Sequence, residues 1–524
     1  MLPPEGGAHD PSATKPEDAR DVQEAERHRT LAEKRIVRKL DWMLMPVLLV
    51  SFGLQYWDKA VMGSAAVFGL LNDLDLKTTH INPETGKAVV STLRYSTASA
   101  AFYYGYIAMV LPFAILLQRV PLVKTLSLLI LLWGLTAILT VVCHSYEGIV
   151  VQRVFLGILE SSVSPGFVMI TNMWYKKSEQ AARLGIWYSA TGIFSAFSGV
   201  VNYGLGSAGG LSPWKYMYYF AGGFTILWSL VLLLIVPDSP RTSGRWFNEQ
   251  ERAVLVRRSR ENMSGRIELA QFEWRHAEEA ATDLKLYCFV LMGAGIYVCN
   301  GAVTAFATII IKSFGYSSLQ TIALSIPGGI FTAVFIYFFT FLSSRWRNGL
   351  TYLIPLSCVP VFIGAAIIWG ASWERRGVPL FGFYLLPTFG SPYVLLLALA
   401  SANVAGSTKK AITSGAIFVG YCVGNIIGPY TVFADEVGVK YQSTWIALYV
   451  SLGVVCICSL LLRVLFSREN ARRDAAALIA GESAGEEKTD AATVRTEEER
   501  EMELERSEKE DLTDKENAKF RYTL

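Results

Sequence analysis

Asp58 and Lys59 are adjacent inside the first long apolar stretch of the chain, and Arg153 and Glu160 stand seven residues apart inside the fourth. An ionisable side chain at membrane depth costs about 2.5 to 3.5 kcal/mol on insertion scales unless it is paired or hydrated, so such groups mark ion or substrate paths. Residues i and i+7 of a helix point within about 20° of the same direction. Arg153, Gly157, Glu160 and Ser164 therefore form one polar stripe, which must face other helices or a water-filled cavity rather than lipid. One use of such a stripe is structural, an ion pair that holds a bundle together. The other is chemical. Burial favours the protonated form of Glu160 and Asp58, a neighbouring cation favours the ionised form, and a cavity opening alternately to each side switches between the two environments. Protonated acids free Lys59 and Arg153 to hold a carboxylate substrate, whereas ionised acids keep the cations occupied. Binding of the anion and of the proton then favour each other.

Further polar residues at depth are Gln55 and Tyr56 in the first apolar stretch, Asn202 in the fifth, Asn300 in the seventh, and Tyr421 and Asn425 in the eleventh. A single Asn or Tyr in such a place is more often an interhelical hydrogen bond than a ligand contact. Asn300 and Asn425 are still candidates for substrate contact, because the second half carries almost no membrane charge and a central site needs polar groups from both sides. Gly420, Gly424 and Gly428 recur every fourth residue before Pro429, a spacing that lets helices approach closely. No phosphate loop, HExxH or G-x-S-x-G element is present, so an enzyme is not expected. Cys288, Cys299, Cys358 and Cys422 fall inside apolar segments without metal-ligand spacing, and neither a metal nor a cofactor is expected.

The elements that must position these residues follow from composition. The chain is 52% hydrophobic and 18% charged with a mean hydropathy of +0.33, and its apolar runs are long enough to cross a hydrocarbon core of about 30 Å. Runs at about 43–69, 95–117, 122–142, 148–171, 182–206 and 214–236 are followed by a gap and then by six more at about 286–311, 320–343, 350–370, 380–403, 410–433 and 444–466. Lone strands would leave backbone groups unpaired in lipid, so the fold is an all-α polytopic membrane protein with twelve transmembrane helices in two six-helix bundles. Boundaries follow: an N-terminal tail over 1–42, a first bundle over 43–236, a middle loop over 237–283, a second bundle over 284–466, and an acidic tail over 467–524. The tail is Glu-rich and too polar to bury a core, so disorder is its expected state, with a solvated helix as the alternative. Asn248 followed by Glu251 predicts a helix start within the middle loop. Arg119, Lys124, Lys176, Arg183, Arg345, Lys409 and Lys410 belong to alternate connections, which puts both termini and the middle loop in the cytosol. No cleavable signal peptide is expected, since residues 1–39 lack a short apolar core. A net charge of +3 without a basic patch argues against nucleic acid.

This arrangement resembles a major facilitator superfamily transporter, and more closely the anion:cation symporter family in its fungal allantoate-permease-like branch. The resemblance is carried by Leu40-Asp41, Asp58-Lys59, Leu117-Gln118-Arg119 and the block from Arg153 to Glu160. Met173 to Lys176 with Glu179 and Arg183, Ser401 to Gly406 with Thr408 to Lys410, and Gly424 to Pro429 add to it. It covers residues 40–466. The resemblance implies proton-coupled symport of a small organic anion by alternating access, with Asp58 and Glu160 as proton sites and Lys59 and Arg153 as carboxylate binders. In such carriers a Tyr two residues before the first-helix acid can line the site, which is Tyr56 here.

Three functions compete. The first is proton-driven import of a carboxylate, such as a ureido acid, a vitamin-like acid or a dicarboxylate, by a monomer in the fungal plasma membrane, with a vacuolar or other internal membrane as the alternative. Export of an acidic metabolite by the same fold is the second, and cells lacking the protein would then retain product. The third is a non-transporting nutrient sensor, which flux in proteoliposomes containing only this protein would exclude.

Overall fold

The computed structural model describes residues 16–81, 88–208, 212–263, 273–346, 348–485 and 512–524. The first six spans are built from α1 (Pro16–Ala65), α2 (Leu93–Arg119), α3 (Leu122–Leu139), α4 (Tyr146–Glu160) continued by α5 (Val163–Trp174), α6 (Lys177–Tyr188) continued by α7 (Ala190–Ser207), and α8 (Pro213–Ile235). Two short helices follow, α9 (Glu249–Met263) and α10 (Trp274–Ala281). The second six spans are α11 (Leu284–Ser313), α12 (Ser318–Arg345), α13 (Leu350–Gly370), α14 (Gly377–Leu385) continued by α15 (Gly390–Asn403), α16 (Ser407–Ile427) and α17 (Gln442–Gly485). Ten of these spans suffice on length and apolarity alone. The other two are the first, which carries Gln55, Asp58 and Lys59, and the fifth, which carries Asn202 and several serines.

Three spans expected as continuous helices are broken. The fourth turns at Ser161-Ser162, directly after Glu160. Pro165 explains the turn, since it lacks an N–H and its ring crowds the carbonyl of residue 161. The Ser161 and Ser162 hydroxyls donate to the carbonyls of Ile158 and Leu159 at 2.7 and 2.8 Å. The fifth span breaks at Ser189 and the tenth at Leu386–Phe389, where Pro387 enters a 3-10 turn. Outside the helices, β1 (Thr78–Ile81) pairs antiparallel with β2 (Ala88–Ser91), with Thr78 opposite Ser91. No pattern in the sequence pointed to this hairpin, a small exception to the all-α expectation.

Close helix approach positions the charged spans. A Cβ at Gly157 of α4 would run into the Phe102 carbonyl of α2, and one at Gly105 of α2 into the Val154 carbonyl. The same contact recurs in the second half, where Gly420, Gly424 and Gly428 lie against the carbonyls of Val290, Ala294 and Val298 of α11. The glycine period read from the sequence is therefore a packing seam between the seventh and eleventh spans.

Hydrogen bonds between the halves cluster at the end remote from the chain termini. Tyr95 donates to the Ala305 carbonyl at 2.6 Å, Ser96 to the Pro429 carbonyl at 2.7 Å, and Tyr430 to Thr97 Oγ1 at 3.2 Å. Thr308 donates to the Gly63 carbonyl, and Ser318 and Lys312 reach the Val67 carbonyl at 2.9 and 3.4 Å. At the opposite end α9 starts at Asn248, whose side chain accepts from Glu251 N at 2.8 Å while Glu251 Oε2 accepts from Asn248 N at 3.1 Å. Arg258 of α9 ties this helix to Glu179 at 2.7 Å and to Glu33 at 3.2 Å.

Of the two states expected from residue 467 onward, the start of the tail takes the solvated helix rather than disorder, and the docked last residues correct both. Helix α17 runs on to Gly485, and residues 512–524 fold back against the second half, with Asp514 and Tyr522 buried. The physical reason is that this short segment combines buried charge pairs with apolar contacts of Phe520, Tyr522 and Leu524, which a composition rule over the whole tail does not register. Residues 1–15 and 486–511 lie outside the described residues.

Candidate functional site

The site lies where α1, α2 and α4 meet α11. Glu160 is the last residue of α4, placed there by the Pro165 break. Its side chain is fully buried, and its Oε2 is 3.5 Å from Lys59 Nζ, which is 15% exposed. Lys59 also lies over the rings of Phe102 and Tyr106, 5.1 and 5.8 Å from their centroids, so its charge is held by one carboxylate and two aromatic faces. Gln55 Nε2 donates to the Glu160 backbone carbonyl at 3.2 Å.

Asp58 is buried as well. One of its oxygens accepts from Trp133 Nε1 at 3.2 Å, while the other is buried with no hydrogen-bond donor among the described residues. The Asp58 and Glu160 carboxyls approach within hydrogen-bonding reach of each other. Two carboxylates at that separation repel unless a proton or a cation lies between them. Arg153, about two turns of α4 further back, donates from Nη2 to the Tyr218 hydroxyl at 2.6 Å and stands over the Tyr218 ring at 5.8 Å. Its Nε has no hydrogen-bond partner in the structure.

Lys59 and Arg153 both line a cavity of about 40 Å³, together with Phe102, Tyr103 and, from the second half, Gly301, Thr304 and Pro429. That volume accommodates about two or three waters. Beyond it, Tyr188 and Tyr297 share a hydrogen bond at 3.1 Å across the halves, and Tyr297 packs on Tyr421 and Tyr393 with ring centroids 4.1 and 4.6 Å away.

The candidate residues are thus divided. Asp58, Lys59, Arg153 and Glu160 come together. Tyr56 lies within hydrogen-bonding reach of Ser195 on α7 and Thr304 on α11, which places it between the halves but outside the cavity lining. Asn300 and Asn425 are also absent from the lining. Asn300 Nδ2 donates to Asn425 Oδ1 at 2.7 Å, Thr304 donates to Asn300 Oδ1 at 3.0 Å, and Asn425 Nδ2 donates to the Tyr421 carbonyl at 2.9 Å. The two amides clamp α11 to α16, the interhelical role that is commoner for membrane Asn. Asn202 is spent similarly, accepting from Trp57 at 3.4 Å and donating to Ser64 at 3.0 Å.

Trp133 and Tyr218, the polar partners of Asp58 and Arg153, were not singled out in the sequence. The available signal was their polar atom in mid-helix, since a buried indole N–H or phenol seeks a partner. Among the described residues no group of three His, Cys, Asp or Glu is clustered as a bound metal would require.

Comparison with known proteins bears on this arrangement. The family model of the Major Facilitator Superfamily matches residues 16–429. An uncharacterized transporter of Schizosaccharomyces pombe is 32% identical, with 94% of this chain and 90% of the relative covered. The allantoate permease of Saccharomyces cerevisiae is 28% identical over 94% of this chain and 87% of its own, and a thiamine pathway transporter of the same yeast is 27% identical over 93% and 86%. Among solved structures, the proton:xylose symporter of Escherichia coli bound to a bromo-deoxyglucose superposes with a TM-score of 0.62 at 14% identity, covering 80% of this chain and 94% of that one. A bacterial homolog of the lysosomal transporter Spinster, in an inward-facing and unoccupied conformation, gives 0.58 at 14% identity, with 79% and 95% covered.

Proposed function

Since the chain belongs to the Major Facilitator Superfamily and is a multi-pass transporter rather than an enzyme, we propose that it carries a small organic anion together with protons. The observation that supports this most is the Lys59–Glu160 pair, with Asp58 and Arg153 beside it, buried around a cavity between the halves. With both acids ionised, two positive and two negative charges balance. One proton taken up by the Asp58 and Glu160 carboxyls leaves one positive charge in excess, and a carboxylate compensates it. Proton and anion then bind as a neutral unit, and neither is stable in the dry interior without the other.

Alternating access supplies the vectorial step. The far-end seal made by Tyr95, Ser96, Thr308 and Tyr430 is closed here. A cavity of about 40 Å³ is too small for a ureido acid or a dicarboxylate, so the halves must part at the sealed end to load substrate and at the end that carries the termini to release it. In this reading that end faces the cytosol, the membrane is the plasma membrane, and the transporter works as a monomer. The carboxylate class is further supported by the relative named as an allantoate permease, since allantoate is a ureido acid.

Thermal stabilisation of the purified protein by a panel of carboxylic acids at two pH values tests the proposal, because a true ligand stabilises by mass action. A substrate carboxylate should raise the melting temperature more at pH 5 than at pH 8, and neutral sugars should not. Equal stabilisation at both pH values, or stabilisation by neutral solutes alone, would overturn it.

A further inference from the structure

The last residues of the chain make a seat of their own, far from the central cavity. Thr523 and Asn403, at the end of α15, exchange two hydrogen bonds: Asn403 Nδ2 donates to the Thr523 carbonyl at 3.0 Å and Asn403 Oδ1 accepts from Thr523 N at 2.7 Å. Leu350 N, at the start of α13, donates to the Leu524 carbonyl at 3.0 Å. On α17, Asn470 and Tyr522 exchange bonds at 2.8 and 2.9 Å, Arg473 donates to three carbonyls of the segment, and Phe466 stacks on Tyr522 at 5.0 Å. The segment thus ties the ends of α13, α15 and α17 together.

Its other end is an electrostatic lock. Asp514 is fully buried between Lys285 at the start of α11 and Lys409 at the start of α16, with Lys409 at 2.7 Å, and its Oδ2 also accepts from the Tyr522 hydroxyl at 2.7 Å. Lys409 additionally meets Glu279 at 2.7 Å and Asp283 at 3.0 Å, and Lys515 stands 3.7 Å from Asp283. The three acids Glu279, Asp283 and Asp514 are therefore matched by three lysines. Docking adds Asp514 and Lys515 to this cluster and sets Glu516 against Arg275 and His276 at 3.2 Å.

Thr513 sits at the edge of this balance. It is buried, its hydroxyl donates to Glu279 Oε2 at 2.9 Å and accepts from Glu516 N at 3.2 Å, and Glu516 Oε2 accepts from Thr513 N at 3.1 Å. Glu279, Asp514 and Glu516 all lie close, and the nearest cations are already engaged, Lys409 with Glu279 and Asp514, and Arg275 and His276 with Glu516 at 3.2 Å. We propose that residues 512–524 are a detachable strap on the second half, and that Thr513 is a phosphorylation site, reached when the strap undocks, whose modification keeps it released. The phosphoryl group would come from a nucleoside triphosphate through a protein kinase. The Oγ–phosphorus bond forms, the bond to the leaving diphosphate breaks, and the hydroxyl proton passes to the kinase's base. A phosphate carries nearly two negative charges and replaces the hydroxyl donor to Glu279, so a seat already neutral rejects it by like-charge repulsion and loss of the hydrogen bond. The single turn that Thr513 caps offers too little dipole to offset this. Access of a cytosolic kinase rests on the cytosolic orientation proposed above, but the release itself does not.

Hydrogen exchange followed by mass spectrometry on the purified full chain tests it, comparing the unmodified protein, a chain with phosphothreonine installed at 513 during translation, Thr513→Glu and Thr513→Ser. Residues 512–524 should be protected in the unmodified chain and in Thr513→Ser, and should exchange at least about tenfold faster in the phosphorylated chain and in Thr513→Glu. Unchanged protection of α11 and α16 shows that the variants are folded. Equal protection of the strap with and without phosphate, or no protection in the unmodified chain, would overturn the proposal. Neither result depends on whether the central site binds anions.

Discussion

Glu160→Gln is the perturbation that separates a proton-coupling acid from a structural ion pair. Glu160 is fully buried and 3.5 Å from Lys59, and the centre balances two acids against two cations. One proton and one monovalent anion then cross as a neutral pair, so the wild-type protein should accumulate substrate about tenfold per pH unit, the 1.36 kcal/mol that a unit of pH supplies, with no response to membrane potential. Glutamine fixes the centre in the charge state that protonation otherwise produces. The variant should bind the anion with an affinity insensitive to pH and exchange it across the membrane. Accumulation above equilibrium should be lost. If Glu160 served only as a strut, removing it would strand a buried charge at a cost of about 3 to 5 kcal/mol, and the loss would appear in folding instead. Uptake and counterflow in proteoliposomes with an imposed pH gradient provide the assay. A folded Glu160→Gln protein that still concentrates substrate refutes the assignment of the proton to this residue.

Three other outcomes follow from the same geometry. Gly157→Ala puts a methyl group onto the Phe102 carbonyl, and overpacking of this kind costs about 1 to 3 kcal/mol; the thermal midpoint should fall, and a midpoint equal to wild type would show that α2 and α4 can separate freely. Tyr95→Phe with Ser96→Ala removes two hydrogen bonds of the far-end seal, each worth about 0.5 to 1.5 kcal/mol, and should shift the conformational balance toward the state open at that end by roughly 5- to 150-fold, read as labelling of a cysteine placed beside the cavity. The strap should also be acid-sensitive. Burial pushes the Asp514 carboxyl up, but Lys285 and Lys409 outweigh it and hold it down at about 2, against an ordinary 3.8, with Asp283, Glu279, Lys515 and Tyr522 as the other groups facing it. A depressed acid stabilises fully above the unfolded value and loses that contribution as pH falls toward the folded one. Between about pH 4 and 2, on the order of 2 kcal/mol of strap stability should vanish, and hydrogen exchange of residues 512–524 should show a smaller acid-induced loss in Asp514→Asn, where only the depressed Asp283 and Glu516 remain, than in the wild type.

The twelve spans were legible because lipid demands continuous apolar length, and a helix satisfies its own backbone. The charged quartet was legible for the converse reason: Asp58, Lys59, Arg153 and Glu160 stand out against an apolar background. What the sequence did not disclose depends on the partner. Asn300 and Asn425 look like any two membrane amides until the glycine seam brings α11 and α16 close enough for them to bond each other. Trp133 and Tyr218 look like packing residues until Asp58 and Arg153 turn toward them. The break after Glu160 was written in Pro165, although a proline within a membrane helix as often kinks it as ends it. The docked strap escaped a compositional reading because Asp514, Lys285 and Lys409 are separated by more than a hundred residues of chain and find each other only in the fold.

Proton uptake by the purified protein on binding a stabilising carboxylate, measured in weakly buffered solution, tests the central claim most directly. The balance of Asp58, Lys59, Arg153 and Glu160 predicts about one proton taken up per monovalent anion bound near neutral pH, and none in Glu160→Gln. Anion binding by the wild-type protein with no accompanying proton would contradict it.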